Sequence, residues 1–267
     1  MAQHLEDRQI GTSSSAKQEP SYRWEPSPRR VRAVFGDETV VDSTHVMLLI
    51  ESEHLPVFYF PRADVRMELL EPSTTVTSSP LKGEATYWTL RVGGRVAEDA
   101  AWSYENPPPG APDMKGYVAF YWSKMDAWYE EEERAYAHAR DPYKLVDTRQ
   151  STRHVRVLLG GAVVAESRRP LLLFETGLPV RYYLPREDVR MDLLTPTSSK
   201  SQCAYKGEAS YWTARIGDQE YRDVAWSYEA PTTLVAPVAG LVCFYNERVD
   251  AVEVDGQVEE KPHTQWS

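Results

Sequence analysis

Ten charged and aromatic residues, related in pairs by one fixed spacing, could form small-molecule sites in this chain. They are Lys82, Tyr87, Trp102, Tyr104 and Glu105, and, 124 residues further on, Lys206, Tyr211, Trp226, Tyr228 and Glu229. Aromatic side chains make the walls of ligand pockets, and a few convergent polar groups orient the ligand. The pattern therefore predicts one pocket in each copy, with a small molecule of unknown identity as the partner.

The same residues also have a purely structural interpretation. Large aromatic side chains such as Trp88 and Trp102 dominate small β cores. Repeated charges such as Lys82 and Glu105 can be kept by structural ion pairs as well as by a ligand. A non-catalytic interaction or scaffold protein is therefore the alternative hypothesis.

Strand alternation predicts how these side chains are divided between two faces. Successive residues of a strand point to opposite sides of the sheet. We therefore expect Tyr87 and Trp88 on opposite faces, and Trp102 with Tyr104 on one face. Glu105 is expected on the reverse face if its strand runs unbroken to that residue.

The residue types that usually support metal or nucleophilic chemistry do not recur at this spacing. Cys203 and Cys243 occupy positions where the first copy has Ser79 and Ala119, and none of the six histidines falls on another histidine. Two cysteines do not complete a four-ligand zinc site, and a nucleophilic Cys203 needs a nearby base. We expect no metal, no cofactor and two free thiols.

Two further patterns concern phosphate binding and acid–base catalysis. Lys82-Gly83 lacks the paired glycines and the following Ser or Thr of a phosphate-binding Walker loop, so Gly83 is expected to serve a tight turn or a close backbone approach. Glu84 and Glu105 could act as acid and base if they lie close together. The sequence gives no distance between them.

The charge and the apolar runs indicate which partners to expect. A formal net charge of −10 argues against nucleic acid, whose binding depends on clustered Lys and Arg. The longest apolar runs, 46–50 and 171–174, are far below the ~20 residues that span a bilayer, and no charged-then-apolar leader follows Met1. The sequence predicts a soluble, cytoplasmic protein that binds neither nucleic acid nor membrane.

The elements that position these residues belong to a long internal repeat. The segment 61–72 returns as 185–196, and a chain of 267 residues suits two domains. Short apolar segments are separated by Gly and Pro turns, as in the hairpin 31–35 and 39–41, which predicts antiparallel β-modules. Since the period exceeds that of solenoid repeats, each copy is expected to fold alone.

One helix is predicted, between the copies. Residues 126–140 are rich in helix formers, with acidic residues early and His138 and Arg140 late, as the helix dipole favours. The predicted organisation is a disordered tail (1–21), a first β-module (22–126), a helical linker (127–148), a second β-module (149–251) and a tail (252–267). The predicted fold class is mainly β, with two tandem antiparallel β-modules joined by one helix.

The second copy carries a long string typical of one family. Ser201-x-Cys203-Ala204-Tyr205-Lys206-Gly207-x-Ala209-x-Tyr211-Trp212, followed by 225–228 and 240–245, resembles the bacterial domain-of-unknown-function family 427, sometimes labelled nucleotidyltransferase-like. The resemblance covers both modules. The first copy departs from it with Ser79 and Leu81, and the second has Ala204 at the family's proline.

The resemblance implies a mostly antiparallel fold similar to the β-tent (Mss-four-like) topology. Better-known proteins of that topology bind zinc through cysteine pairs or small ligands in an aromatic cage. The zinc cysteines are missing here. By analogy of fold, the resemblance therefore implies an aromatic pocket rather than a zinc site. The family label adds a third hypothesis, nucleotidyl or phosphoryl transfer, although no Gly-Ser loop with paired aspartates is visible in the sequence.

Overall fold

The computed structural model describes residues 22–52 and 54–267, so the predicted tail at 1–21 lies outside the described residues. Within these described residues the first module contains eleven strands: β1 (Tyr22–Pro26), β2 (Val31–Phe35), β3 (Glu38–Ser43), β4 (Met47–Glu51), β5 (Val57–Pro61), β6 (Leu70–Ser79), β7 (Gly83–Val92), β8 (Arg95–Ser103), β9 (Tyr117–Phe120), β10 (Ala127–Glu130) and β11 (Glu133–Ala135).

The second module repeats this series of strands. They are β12 (Val146–Gln150), β13 (Val155–Leu159), β14 (Ala162–Ser167), β15 (Leu171–Glu175), β16 (Arg181–Leu184), β17 (Leu194–Cys203), β18 (Gly207–Ile216), β19 (Gln219–Ser227), β20 (Val242–Phe244), β21 (Ala251–Val254) and β22 (Gln257–Val258). The fold is therefore mainly β and built from two tandem modules, as the sequence predicts.

Each module consists of a seven-stranded and a four-stranded antiparallel sheet. The strand order of the larger sheet is β1-β4-β5-β9-β8-β7-β6 in the first module and β12-β15-β16-β20-β19-β18-β17 in the second. The smaller sheets have the orders β11-β10-β2-β3 and β14-β13-β21-β22. The predicted hairpin of β2 and β3 is confirmed, and its strands pair from Val31 with Ser43 to Phe35 with Glu38.

The larger sheet is covered by apolar side chains on both faces. In the first module Trp88 and Leu90 belong to the core shared with the four-stranded sheet. Tyr87 and Tyr104 belong to a separate aromatic cluster, which Trp102 packs against. The predicted alternation of Tyr87 and Trp88 is therefore confirmed. The second module has the same two clusters.

The prediction of a helix over 126–140 is wrong. These residues form the hairpin of β10 and β11, and β10 pairs with β2 from Ala127 opposite Val34 to Glu130 opposite Val31. Trp128 is only 2% exposed, and its ring stacks on Trp122 with centroids 4.5 Å apart. Burial of this indole between the sheets outweighs the helix propensity of the surrounding residues, because propensity is a weak determinant compared with tertiary packing.

The helical segments in the described part of the chain are short 3-10 turns. They are Arg62–Asp64, Met67–Leu69, Trp122–Lys124, Arg186–Asp188, Met191–Leu193 and Thr233–Val238. Within residues 22–52 and 54–267 there is no helix with the length and apolar character needed to cross a membrane.

Candidate functional site

A cavity of about 420 Å³ lies on the aromatic face of the larger sheet in the second module. Lys206, Tyr211, Trp226 and Tyr228 line it, so four of the five residues predicted for this copy come together. Its volume falls within the range of roughly 300 to 1,000 Å³ that ligand pockets span. The predicted residues therefore surround a space large enough for a small molecule.

Glu229 lies elsewhere. Its carboxylate pairs with Arg186 and accepts a hydrogen bond of 2.9 Å from the hydroxyl of Ser227. The guanidinium of Arg186 lies 5.3 Å from the ring of Trp212, which packs against the core between the two sheets. Glu229 is therefore held as an ion pair on the other face of the sheet.

Glu105 in the first module has the same arrangement. It contacts Arg62 at 3.3 Å and accepts a hydrogen bond of 2.9 Å from Ser103. Although β8 ends at Ser103, Glu105 lies apart from Trp102 and Tyr104, so it does not join the predicted pocket that included all three.

One hydrogen bond and one ring contact hold the aromatic wall. The indole N–H of Trp226 donates to the hydroxyl of Tyr183 at 3.1 Å, and the rings of Trp226 and Tyr245 lie 4.4 Å apart. Burial raises the pKa of the Tyr183 and Tyr228 hydroxyls well above 10. These phenols are therefore neutral hydrogen-bonding groups at physiological pH.

Two lysines share one carboxylate at the charged wall. Glu175 pairs with Lys206 and lies 2.9 Å from Lys144. Burial raises the pKa of Glu175, but the charges and hydrogen bonds of the two lysines outweigh it and hold that pKa below 4.5. Gly207 follows Lys206 with φ +97°, and a Cβ atom there would lie 3.4 Å from the carbonyl oxygen of Ala230. At Gly83, where the sequence predicts a tight turn or close approach, φ is +83° and a Cβ atom would lie 3.1 Å from Cδ of Pro108, so the close approach is confirmed.

A buried ion pair forms another part of the wall. The Nη1 and Nη2 atoms of Arg181 donate to the two carboxylate oxygens of Glu247, both at 2.6 Å. The Arg181 side chain is 7% exposed and that of Glu247 0%. The guanidinium also lies 5.6 Å from the ring centroids of Trp226 and Trp266. This cation is fixed in place by aromatic faces and by a paired carboxylate.

Segments on either side of the second repeat complete the cavity. His138 and Lys144 come from the connection between the modules, where the backbone N–H of Asp141 donates to the hydroxyl of Tyr205 at 2.9 Å. Trp266 comes from the end of the chain, and the hydroxyl of Thr264 donates to Glu247 at 2.6 Å. The site is therefore built from more than the repeated residues.

Both cysteines are free thiols, as expected. Cys203 is partly exposed and lines the cavity, whereas Cys243 is fully buried. Burial raises the pKa of Cys243 to about 12. Cys243 is therefore a protonated core residue at physiological pH.

The first module carries the predicted residues in a cluster packed by additional rings. Trp24 lies 5.2 Å from Tyr59 and 5.4 Å from Tyr117, both edge-on. At the repeat spacing the second module has Thr148 in place of Trp24 and Leu241 in place of Tyr117. Lys82 keeps its partner, because Glu51 lies 2.5 Å away as the counterpart of Glu175. The main differences between the copies are thus the two rings that the second module lacks and the extra charges that it carries.

Several residues at this site were not predicted from the sequence. The repeat contained a signal for some of them, because Glu175, Tyr183 and Tyr245 recur as Glu51, Tyr59 and Tyr121. Arg181, Tyr205 and Trp266 gave no such signal, since their counterparts differ or lie beyond the repeat.

The comparisons with known proteins agree with the observed repeat. A family model described as a domain of unknown function (DUF427) matches residues 23–131 and 147–255. The first match includes β10, which lies in the predicted helical linker. A search of curated protein sequences found no significant match. Among the described residues no cluster of three or more His, Cys, Asp and Glu side chains is placed to hold a metal ion.

Proposed function

Because this chain belongs to the DUF427 family, described as a domain of unknown function, we propose its function from the geometry of the site: the second module binds a small organic molecule in its aromatic and charged cavity. The observation that carries the proposal is the convergence of Lys206, Tyr211, Trp226 and Tyr228 on one space of about 420 Å³. Apolar aromatic walls with a few fixed charges are the usual composition of ligand sites.

The proposal assigns binding to the second module. In the first module Trp24 packs against the ring of Tyr59, the counterpart of Tyr183. Thr148, the counterpart of Trp24, lies opposite Leu173 in the sheet, and Leu173 lines the cavity. The second module therefore has a small residue beside a lining residue of the cavity, where the first module has an indole.

A single substitution tests this proposal. We expect Thr148→Trp to place an indole over Leu173 and Tyr183, as Trp24 lies over the corresponding residues of the first module. Ligand-observed NMR of the full chain with a library of small aromatic compounds should give binders for the wild type that are lost in T148W. The strand should tolerate the change, because the equivalent strand already carries tryptophan at this position.

Two experimental results would count against this proposal. A library with no binder, or binders unaffected by T148W in a chain with unchanged circular dichroism, contradicts the proposal. Trp24→Thr is the matched control in the first module, and it should leave the binders of the second module unchanged.

A further inference from the structure

The cavity has an uneven distribution of charge. Among the described residues that line it, three are cationic, Lys144, Arg181 and Lys206, and one, Glu175, is a carboxylate. This excess of positive charge occurs in a chain with a net charge of −10. The cavity is therefore locally cationic on an acidic protein.

The positive charge of Arg181 is already matched. Both of its terminal nitrogens donate to Glu247, at 2.6 Å each. Its guanidinium also lies against the faces of Trp226 and Trp266, where a cationic ligand would otherwise be attracted. A ligand with a positive charge is thus disfavoured at this end of the cavity.

The charge of the lysine pair is not fully matched. Lys206 and Lys144 share the single carboxylate of Glu175, which leaves an excess of one positive charge. Both lysines line the cavity and are only partly exposed, at 12% and 30% of their side-chain surface. An ammonium group can form three hydrogen bonds, so each lysine keeps donors for a further acceptor.

We propose that the ligand is a small organic anion with an aromatic body, whose negative head group binds at Lys144 and Lys206. Its ring lies against Tyr205, Tyr211 and Trp226. This proposal rests on the proposed function. It adds to that function the sign of the ligand's charge and the position of its charged group. A carboxylate and a phosphate both fit the chemistry of a head group held by two ammonium groups.

Matched sets of probes that differ only in charge test this class. One set is indole-3-acetate, indole-3-acetamide and tryptamine, and two more carry phenyl and naphthyl bodies. Isothermal titration of the full chain in 150 mM salt, a condition chosen near physiological ionic strength, should give an acid that binds about 10- to 100-fold more tightly than its amide, as expected for a charge-assisted hydrogen bond. The amine should bind most weakly. Phenyl phosphate against phenylacetate then separates the two head groups.

Variants locate the head group. Lys144→Met removes the excess charge while Glu175 keeps Lys206, so the acid-to-amide ratio should fall towards one, and K144R should restore most of it. Lys82→Met, in the ion pair of the first module that corresponds to Lys206 and Glu175, is the control in the other module and should leave the ratio unchanged.

Each negative result rejects a different part of the proposal. If no member of any set binds, the proposed function fails together with the ligand class. If amides or amines bind as tightly as acids, the ligand class is overturned while the binding function stands. An acid preference that survives in K144M, measured on a chain of unchanged melting temperature, overturns the assignment of the lysine pair.

Discussion

The ion pair of Arg181 and Glu247 gives the sharpest test of the energetics of the second module. Its side chains are 7% and 0% exposed, and the first module has the uncharged residues Val57 and Ser123 at the same positions. The substitution Glu247→Ser removes one charge and leaves the other buried. The double variant R181V/E247S replaces the pair with the residues that the first module uses.

The expected magnitude follows from the surroundings of Arg181. Breaking a buried ion pair costs about 3 to 5 kcal/mol, because the remaining charge is left without a partner. The guanidinium keeps its contacts with the rings of Trp226, Tyr245 and Trp266, each within 6 Å, and these lessen the cost. We therefore expect E247S to cost about 3 kcal/mol, at the lower end of that range.

Differential scanning calorimetry of the full chain measures this effect. At about 4 °C per kcal/mol for a domain of roughly 100 residues, the transition of the second module should fall by about 12 °C in E247S. That of the first module should stay in place. The double variant should recover most of the loss, giving a coupling energy of about 2 kcal/mol or more. A cost below about 1 kcal/mol for E247S, or strictly additive single variants, would refute the reasoning.

Two more predictions concern a core indole and a buried carboxylate. Trp128→Ala should cost about 3 to 5 kcal/mol in denaturant unfolding, because Trp128 is a core residue of β10; a cost below about 1 kcal/mol, as expected of an exposed linker, would contradict the hairpin. The pKa of Glu175 is lowered in the folded chain, so its carboxylate adds stability above pH 4.5 that is lost as the pH falls through the lowered pKa. Melting temperatures between pH 3 and 6 should show a shallower acid limb for E175Q, and identical limbs would contradict the role of the two lysines.

The internal repeat was the main source of correct prediction. Residues that recur at one spacing are expected to serve the same local structure in both copies. This reasoning located the strands and grouped Lys206, Tyr211 and Trp226, which line one cavity. Alternation along a strand also separated Tyr87 from Trp88. These inferences succeed because the period of a strand is short and local.

The failures involve contacts between segments distant in sequence. Composition favoured a helix over 126–140, but pairing with β2 and burial of Trp128 outweighed it. Arg181 and Trp266 have unlike counterparts or none, so only the folded chain shows that they meet across the cavity. Local sequence carries no information about such partners, since tertiary context decides them.

The connection between the modules is anchored on both sides. The hydroxyl of Tyr143 donates to Glu25 of the first module at 2.8 Å, and Arg140 pairs with Glu130 at 2.7 Å, while Lys144 reaches Glu175 of the second module. The connecting segment is therefore held by contacts with both modules and is not a flexible linker. If a ligand binds at Lys144, we expect it to hold this segment more firmly, so that a protease cleaves residues 136–145 more slowly when the cavity is filled.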